Sequence, residues 1–149
     1  MATIDENPPM NPAAGKPVQI GDQLPPFRHS TDILESAIFA DWSGNHHRIH
    51  WDHEYARTEG LPHAIVNSGV LVAWVEEDIQ KTYGSVAGLK KLDFRFQHPV
   101  PIGATVCFGG EVKDTFNERG LLTLQVAIWI RGLEESVHLT GNATIELAQ

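Results

Sequence analysis

Two segments of the chain carry apolar residues at helical spacing. Asp32-Ile33-Leu34-Glu35 offers a capping box, and Ile33, Leu34, Ala37 and Ile38 share one stripe before Ser43-Gly44 ends it. A stronger segment starts around Ser68-Gly69 and places Val70, Leu71, Trp74, Val75 and Ile79 on one face, with Glu76, Glu77 and Lys81 turned outward, until Tyr83-Gly84. This is the expected core helix. After Gly88 the period falls to two: Leu92, Phe94 and Phe96 alternate with Asp93, Arg95 and Gln97 until the His98-Pro99-Val100-Pro101 break. Val106, Phe108 and Val112 mark a second strand in which Gly109-Gly110 offers a bulge. Leu122, Leu124, Val126, Ile128 and Ile130 mark a long third strand, with Ala127 and Trp129 making its other face apolar too. Val137, Leu139, Ile145 and Leu147 mark a fourth, with an interruption expected near Gly141-Asn142. Short turns at Asn117-Gly120 and Arg131-Gly132 make these neighbours antiparallel, and a helix against a curved antiparallel sheet is the economical α+β solution.

Before this pattern begins, residues 1–17 carry Pro8, Pro9, Pro12 and Pro17 with no periodic apolar face, which reads as a flexible leader to a single domain over 18–149. The chain has 149 residues, 42% of them hydrophobic and 20% charged, enough for one core. The single Cys107 has no partner for an internal disulfide and no signal-peptide pattern opens the chain, so a reducing, cytoplasmic setting is the default expectation. No apolar run approaches the ~20 residues needed to span a bilayer. A formal charge of -8 disfavours nonspecific adsorption to nucleic acid or anionic lipid, although it leaves room for a local basic site.

The chemistry is concentrated between the two helices. Of 8 histidines, His46, His47, His50 and His53 fall in one short stretch. Imidazoles exchange protons near neutral pH or bind metals through a neutral ring nitrogen. His46 and His50 with Asp52 or His53 sketch a ligand set, but HExxH is lacking, as is any cysteine cluster, so no metal is expected. Absence of G-x-G-x-x-G and of G-x-x-x-x-G-K-[ST] removes the main warrants for nicotinamide or nucleoside triphosphate binding. Trp42, Trp51 and Trp74 read as core or interface residues, Cys107 as a packed thiol, and Asp52 as a cap for the segment of Tyr55 and Ala56.

Ser43-Gly44-Asn45-His46-His47-Arg48-Ile49-His50, followed by Asp52 and Tyr55-Ala56, resembles the signature of the MaoC-like dehydratases and (R)-specific enoyl-thioester hydratases of the hot dog fold. Gly60 to Leu71 is similar to that family's approach to its central helix, and Leu92 to Gly103 to the following strand and proline turn. The resemblance runs in order over about residues 18 to 147 and implies a curved antiparallel sheet wrapped around a central helix. At the position of the family's catalytic Asp this chain has Asn45, while the family His falls on His50. An amide cannot cycle as a carboxylate base. Asn, a variable residue, then His-Arg-Ile-His resembles a smaller group of MaoC-like hydratases acting on branched or dicarboxylic, mesaconyl-CoA-type substrates. The chain is also similar to small hot dog subunits that work only beside a partner.

The resemblance implies reversible hydration of a 2-enoyl-CoA to an (R)-3-hydroxyacyl-CoA, with CoA as part of the substrate and no other cofactor. His50 is then the general acid/base, Asn45 the water holder and Gly69 the backbone oxyanion donor at the helix start. Asp41 and His47 are possible auxiliaries. Arg48 is a candidate for a substrate carboxylate or phosphate, and Lys90, Lys91 and Arg95 for CoA phosphates. A homodimer or a heteromeric hot dog partner is expected. A partner-dependent acyl-thioester-binding subunit and an acyl-CoA thioesterase are the alternatives.

Overall fold

The computed structural model describes residues 10–11, 16–84 and 87–148. Most of the expected leader therefore lies outside the described residues; within it, β1 (Met10–Asn11) pairs antiparallel with β2 (Lys16–Pro17). The main sheet is antiparallel, in the order β3 (Phe27–His29), β5 (Val106–Glu118), β6 (Leu121–Gly132), β7 (Val137–Ala148), β4 (Ala87–Phe96). The long helix α3 (Ser68–Tyr83) packs Leu71, Val75, Ile79 and Tyr83 into a core shared with Val106, Phe108, Leu124, Ile128, Ile130, Leu139 and Ile145. Register shifts at Leu89/Lys91, Val112/Asp114 and Ile130/Arg131 bend the strands, as an extra residue in one strand of a pair must. The result is the expected α+β hot dog arrangement, a curved antiparallel sheet with helices packed against it.

Several local expectations need correction. The bulge in β5 falls at Val112/Asp114, not at Gly109-Gly110, and β7 runs through Gly141-Asn142 without interruption, pairing them with Phe94 and Asp93. Phe94 and Phe96 are not core residues. They are 40% and 42% exposed, on a strand that ends the sheet.

The capping box of α1 (Ile33–Ser43) is present, with Asp32 accepting from Glu35 N–H and the Glu35 side chain returning to Asp32 N–H. The helix is nonetheless rolled away from the expected stripe: Ser36 and Ala40 are buried, while Leu34 is 64%, Ile38 60% and Trp42 80% exposed. Ser36 lies at the centre of the buried face, where its hydroxyl donates to the His50 carbonyl at 2.5 Å. On α3 the buried stripe also takes in Asp78 and Thr82, which apolar spacing alone did not suggest.

Candidate active site

His50 ends a single 3-10 turn, Arg48–His50, placed between α1 and α2 (His53–Thr58). Three contacts fix it. Ser36 holds its carbonyl from α1, Ile65 N–H donates to the Ile49 carbonyl at 2.9 Å, and the His50 ring bonds through Nδ1 to the Ile65 carbonyl at 3.0 Å. The Ala64–Val66 segment is in turn tied to the proline turn, through Val66 N–H to Val100 O at 2.8 Å and Ile102 N–H to Ala64 O at 2.9 Å. A carbonyl only accepts, so Nδ1 must carry the proton, and in the neutral ring Nε2 is left with its lone pair. The residue is only 8% exposed.

His50 lines a cavity of about 340 Å³ together with Ser68 and Leu71 of α3, Phe96 at the end of β4, and Gln97 and His98 beyond it. Val66 and Val100 complete an apolar wall. The start of α3 faces this space. Its N-cap, Asn67, accepts from Gly69 N–H through Oδ1 at 2.9 Å, and its carbonyl accepts from Val70 N–H at 2.9 Å. That leaves the N–H of Ser68, the first helical residue and a cavity wall residue, outside the cap. Gly69 itself is turned toward α1: a Cβ there would stand 2.9 Å from Phe39 Cζ, so its missing side chain serves close packing. The Nδ2 of Asn67 is buried and has no hydrogen-bond partner among the described residues.

The other residues singled out in the sequence are placed around the rim or elsewhere. Asn45 is exposed, off the cavity wall, with Oδ1 accepting from His47 N–H at 3.5 Å. Asp41 is exposed and lies 4.0 Å from His46. His47 caps the 3-10 turn by accepting from Ile49 N–H, its ring edge-on to His50 at 6.3 Å and to Tyr55 at 6.0 Å. Arg48 is held internally, bonded to Asp52 Oδ2 through Nη2 at 2.6 Å and stacked 4.5 Å from the Tyr55 ring. Asp52 caps α2 as expected, and its carboxyl is held below the usual range first by the Tyr55 N–H and then by Arg48. Lys90 pairs with Glu146 at 3.1 Å and Lys91 with Asp93 at 2.7 Å, both off the cavity wall. Arg95 lies in a shallow groove that meets the cavity at Gln97.

Ser68, Gln97 and His98 were missed as wall residues, and no short motif flags them. A second polar cluster was also missed. His29 Nε2 meets Asp78 Oδ2 at 2.5 Å under a stacked Trp74, ring centroids 4.7 Å apart. Burial pushes the Asp78 carboxyl up, against the opposing pull of His29. Ligand atoms of His29, Glu77 and Asp78 lie within 4.8 Å of one another, but Lys81 already brings an ammonium to 2.7 Å from Glu77 and 3.7 Å from Asp78, where a metal ion would compete with it. A carboxylate on the buried stripe of α3 was the available signal.

A family profile described as the MaoC like domain matches residues 22–127. Among solved structures, the chain is similar to the ChsH1-ChsH2 complex from Mycobacterium tuberculosis, at 23% identity and a TM-score of 0.77, over 87% of this chain and 98% of that one. It is similar to the (R)-hydratase from A. caviae involved in PHA biosynthesis, at 20% identity and a TM-score of 0.80, over 87% and 97% of the two chains. The R-hydratase PhaJ1 from Pseudomonas aeruginosa gives 20% identity and a TM-score of 0.81, over 93% and 86%. No curated protein matches the sequence. No helix among the described residues is long and apolar enough to cross a membrane.

Proposed function

Because the chain belongs to the MaoC-like domain family, we propose that it adds water to a 2-enoyl-CoA to give an (R)-3-hydroxyacyl-CoA, or runs the reverse dehydration, through His50. The observation that carries this reading is the His50 ring, with Nδ1 committed to Ile65 and Nε2 left free on the wall of an apolar cavity beside the start of α3. In hydration, water adds to C3 as Nε2 accepts its proton. Charge then develops on the thioester oxygen, where a helix N-terminal N–H and the α3 dipole stabilise it. The imidazolium returns the proton to C2. Since Asn67 occupies the Gly69 N–H, we assign the oxyanion bond to the Ser68 N–H instead. Asn45 remains the proposed water holder, which requires its amide to turn from the His47 N–H toward the cavity. Asp41 and His47 act only from outside the wall, and Arg48 reaches a substrate carboxylate only by leaving Asp52. CoA enters as part of the substrate, and the reaction calls for no other cofactor.

One observation favours the second reading, a subunit that completes its site with a partner: among the described residues no carboxylate lines the His50 cavity. Among the described residues β4 ends the sheet with an unpaired edge and two exposed phenylalanines in mutual contact at 5.0 Å, which suits pairing with another hot dog subunit, identical or different. The discriminating experiment incubates the pure protein with crotonyl-, mesaconyl- and bulkier enoyl-CoAs and follows 3-hydroxyacyl-CoA and free CoA together. Hydration without CoA release supports the hydratase. Release of free CoA identifies a thioesterase, and turnover only after adding a second hot dog protein identifies the partner-dependent subunit. In the same assay Asn45→Asp raises activity if the amide merely weakens a carboxylate role, and lowers it if the site is adapted to the amide.

A further inference from the structure

The outer face of the sheet, turned away from α3, holds another cavity at the same end as the His50 site. Strand register puts Arg28 of β3 opposite Cys107 of β5, and Cys107 opposite Arg131 of β6. Two arginines therefore flank the thiol across three adjacent strands, roughly 10 Å apart at their backbones given the spacing of neighbouring strands. Trp129, two residues before Arg131 on the same face, fills the space over Gly109: a Cβ on that glycine would stand 2.6 Å from Nε1 and 2.8 Å from Cε2 of the indole. The Arg131 guanidinium lies 4.9 Å from the indole centroid. With Leu133 and Glu135, these groups line about 310 Å³.

Two lightly paired guanidiniums meet at this place, and among the other described cations Arg95 also has no ion pair. In a chain of formal charge -8, Lys90 and Lys91 are each held by an acid within about a strand's reach, at 3.1 Å and 2.7 Å. Arg28 has no ion-pair partner among the described residues, and Arg131 meets only the exposed Glu135, at 3.6 Å. Guanidinium forks suit phosphate oxygens, and an indole face suits a planar base. The position suits a long ligand as well. His98, on the wall of the His50 cavity, donates from Nδ1 to the Val137 carbonyl at 2.9 Å, and Val137 pairs directly with Arg131. A single residue at the start of β7, Val137, thus links a wall residue of one cavity to a wall residue of the other.

We propose that this outer cavity holds the phosphorylated adenosine end of the CoA carrier, with Arg28 and Arg131 on phosphate oxygens and Trp129 against the adenine. The inference rests on the thioester reading and moves the carrier grip away from Lys90, Lys91 and Arg95. An acyl group beside His50 then sends its carrier over His98 and the end of the sheet. Cys107 forms part of the cavity floor and is the only cysteine, so its alkylation reports occupancy directly.

Two measurements test this. First, adenosine 3′,5′-bisphosphate slows alkylation of Cys107 by iodoacetamide in a saturable way, adenosine alone does so weakly, and Arg28→Ala with Arg131→Ala removes the protection. Absence of protection in the unmodified chain overturns the site, whatever its activity. Second, the double variant raises KM for crotonyl-CoA by about tenfold, as loss of charge-assisted phosphate bonds predicts, with no matching rise for crotonyl-N-acetylcysteamine, which lacks the nucleotide. An unchanged KM, or a rise of that size in Arg95→Ala instead, overturns the assignment while leaving the hydratase reading intact. Failure of both thioesters to turn over counts against the hydratase reading, and Cys107 protection still decides the site.

Discussion

Asp78→Ala should destabilise the protein far more than its distance from the His50 cavity suggests. Asp78 is 0% exposed, sits on the inward stripe of α3, and meets His29 of edge strand β3 at 2.5 Å beneath the Trp74 ring. Removing one member of a buried ion pair costs ~3–5 kcal/mol because the other charge stays behind uncompensated. The His29 side chain keeps 10% exposure to water, and Lys81 keeps Glu77 at 2.7 Å, so the lower end, about 3 kcal/mol, is the expectation. For a chain of this size that is a fall in Tm of about 6–12 °C. Urea unfolding measures it as a lower midpoint at constant slope. Replacing both partners, His29→Leu with Asp78→Leu, should recover most of the loss, since an apolar pair of similar volume avoids both desolvation penalties. A single-variant loss under about 1 kcal/mol, or a double variant no better than Asp78→Ala, refutes the view of a mutually compensated pair. The pH dependence has a definite sign. Burial raises the Asp78 carboxyl in the fold, so the folded state holds its proton longer than the unfolded state does. Its ionisation therefore takes stability away as pH climbs from the unfolded value through the raised folded one, and Asp78→Asn should gain on the wild type across that window.

Gly69→Ala places a methyl group 2.9 Å from the Phe39 ring and should cost ~1–3 kcal/mol in urea unfolding, partly recovered by Phe39→Leu. Ser36→Ala removes the buried bond to the His50 carbonyl; stability should fall by about 1 kcal/mol, and kcat for an enoyl-CoA should fall with it because the turn that aims the imidazole loses an anchor. Asp52 contributes in the opposite pH sense from Asp78. Its folded value is lowered, so its stabilisation is complete above the unfolded value and is lost as pH falls through the lowered one, a dependence that Asp52→Asn should flatten in acid melts.

The elements most legible in the sequence were those whose apolar period matched their burial. Leu71, Val75 and Ile79 on α3 and Leu124, Val126, Ile128 and Ile130 on β6 face one side only, and spacing located both. Period failed where something other than hydrophobicity chose the buried face. In α1 the buried face is that of Ser36 and Ala40, not the stripe of Ile33, Leu34 and Ile38, and on β4 the alternation was real but Phe94 and Phe96 stay exposed. The site divided in the same way. His50 was singled out through a local signature, and its ring meets the Ile65 carbonyl on the wall of a cavity. Ser68 and His98 come to that cavity through the N-cap of α3 and the turn after β4, relations between distant segments that no window of sequence contains. Asn45 stands where the resembled signature carries an acid; it is exposed, with its amide oxygen on the His47 N–H, so its proposed role depends on a rotation that no window of sequence shows.

The central claim is that Nε2 of His50 moves the proton in an enoyl-CoA hydration. Steady-state hydration of crotonyl-CoA or the best enoyl-CoA found in the substrate screen, compared between the unmodified chain and His50→Gln of matching melting behaviour, tests it most directly. The account predicts a fall in kcat of ~10²–10⁴-fold, with KM changed far less. A correctly folded His50→Gln variant that hydrates within twofold of the unmodified chain contradicts it.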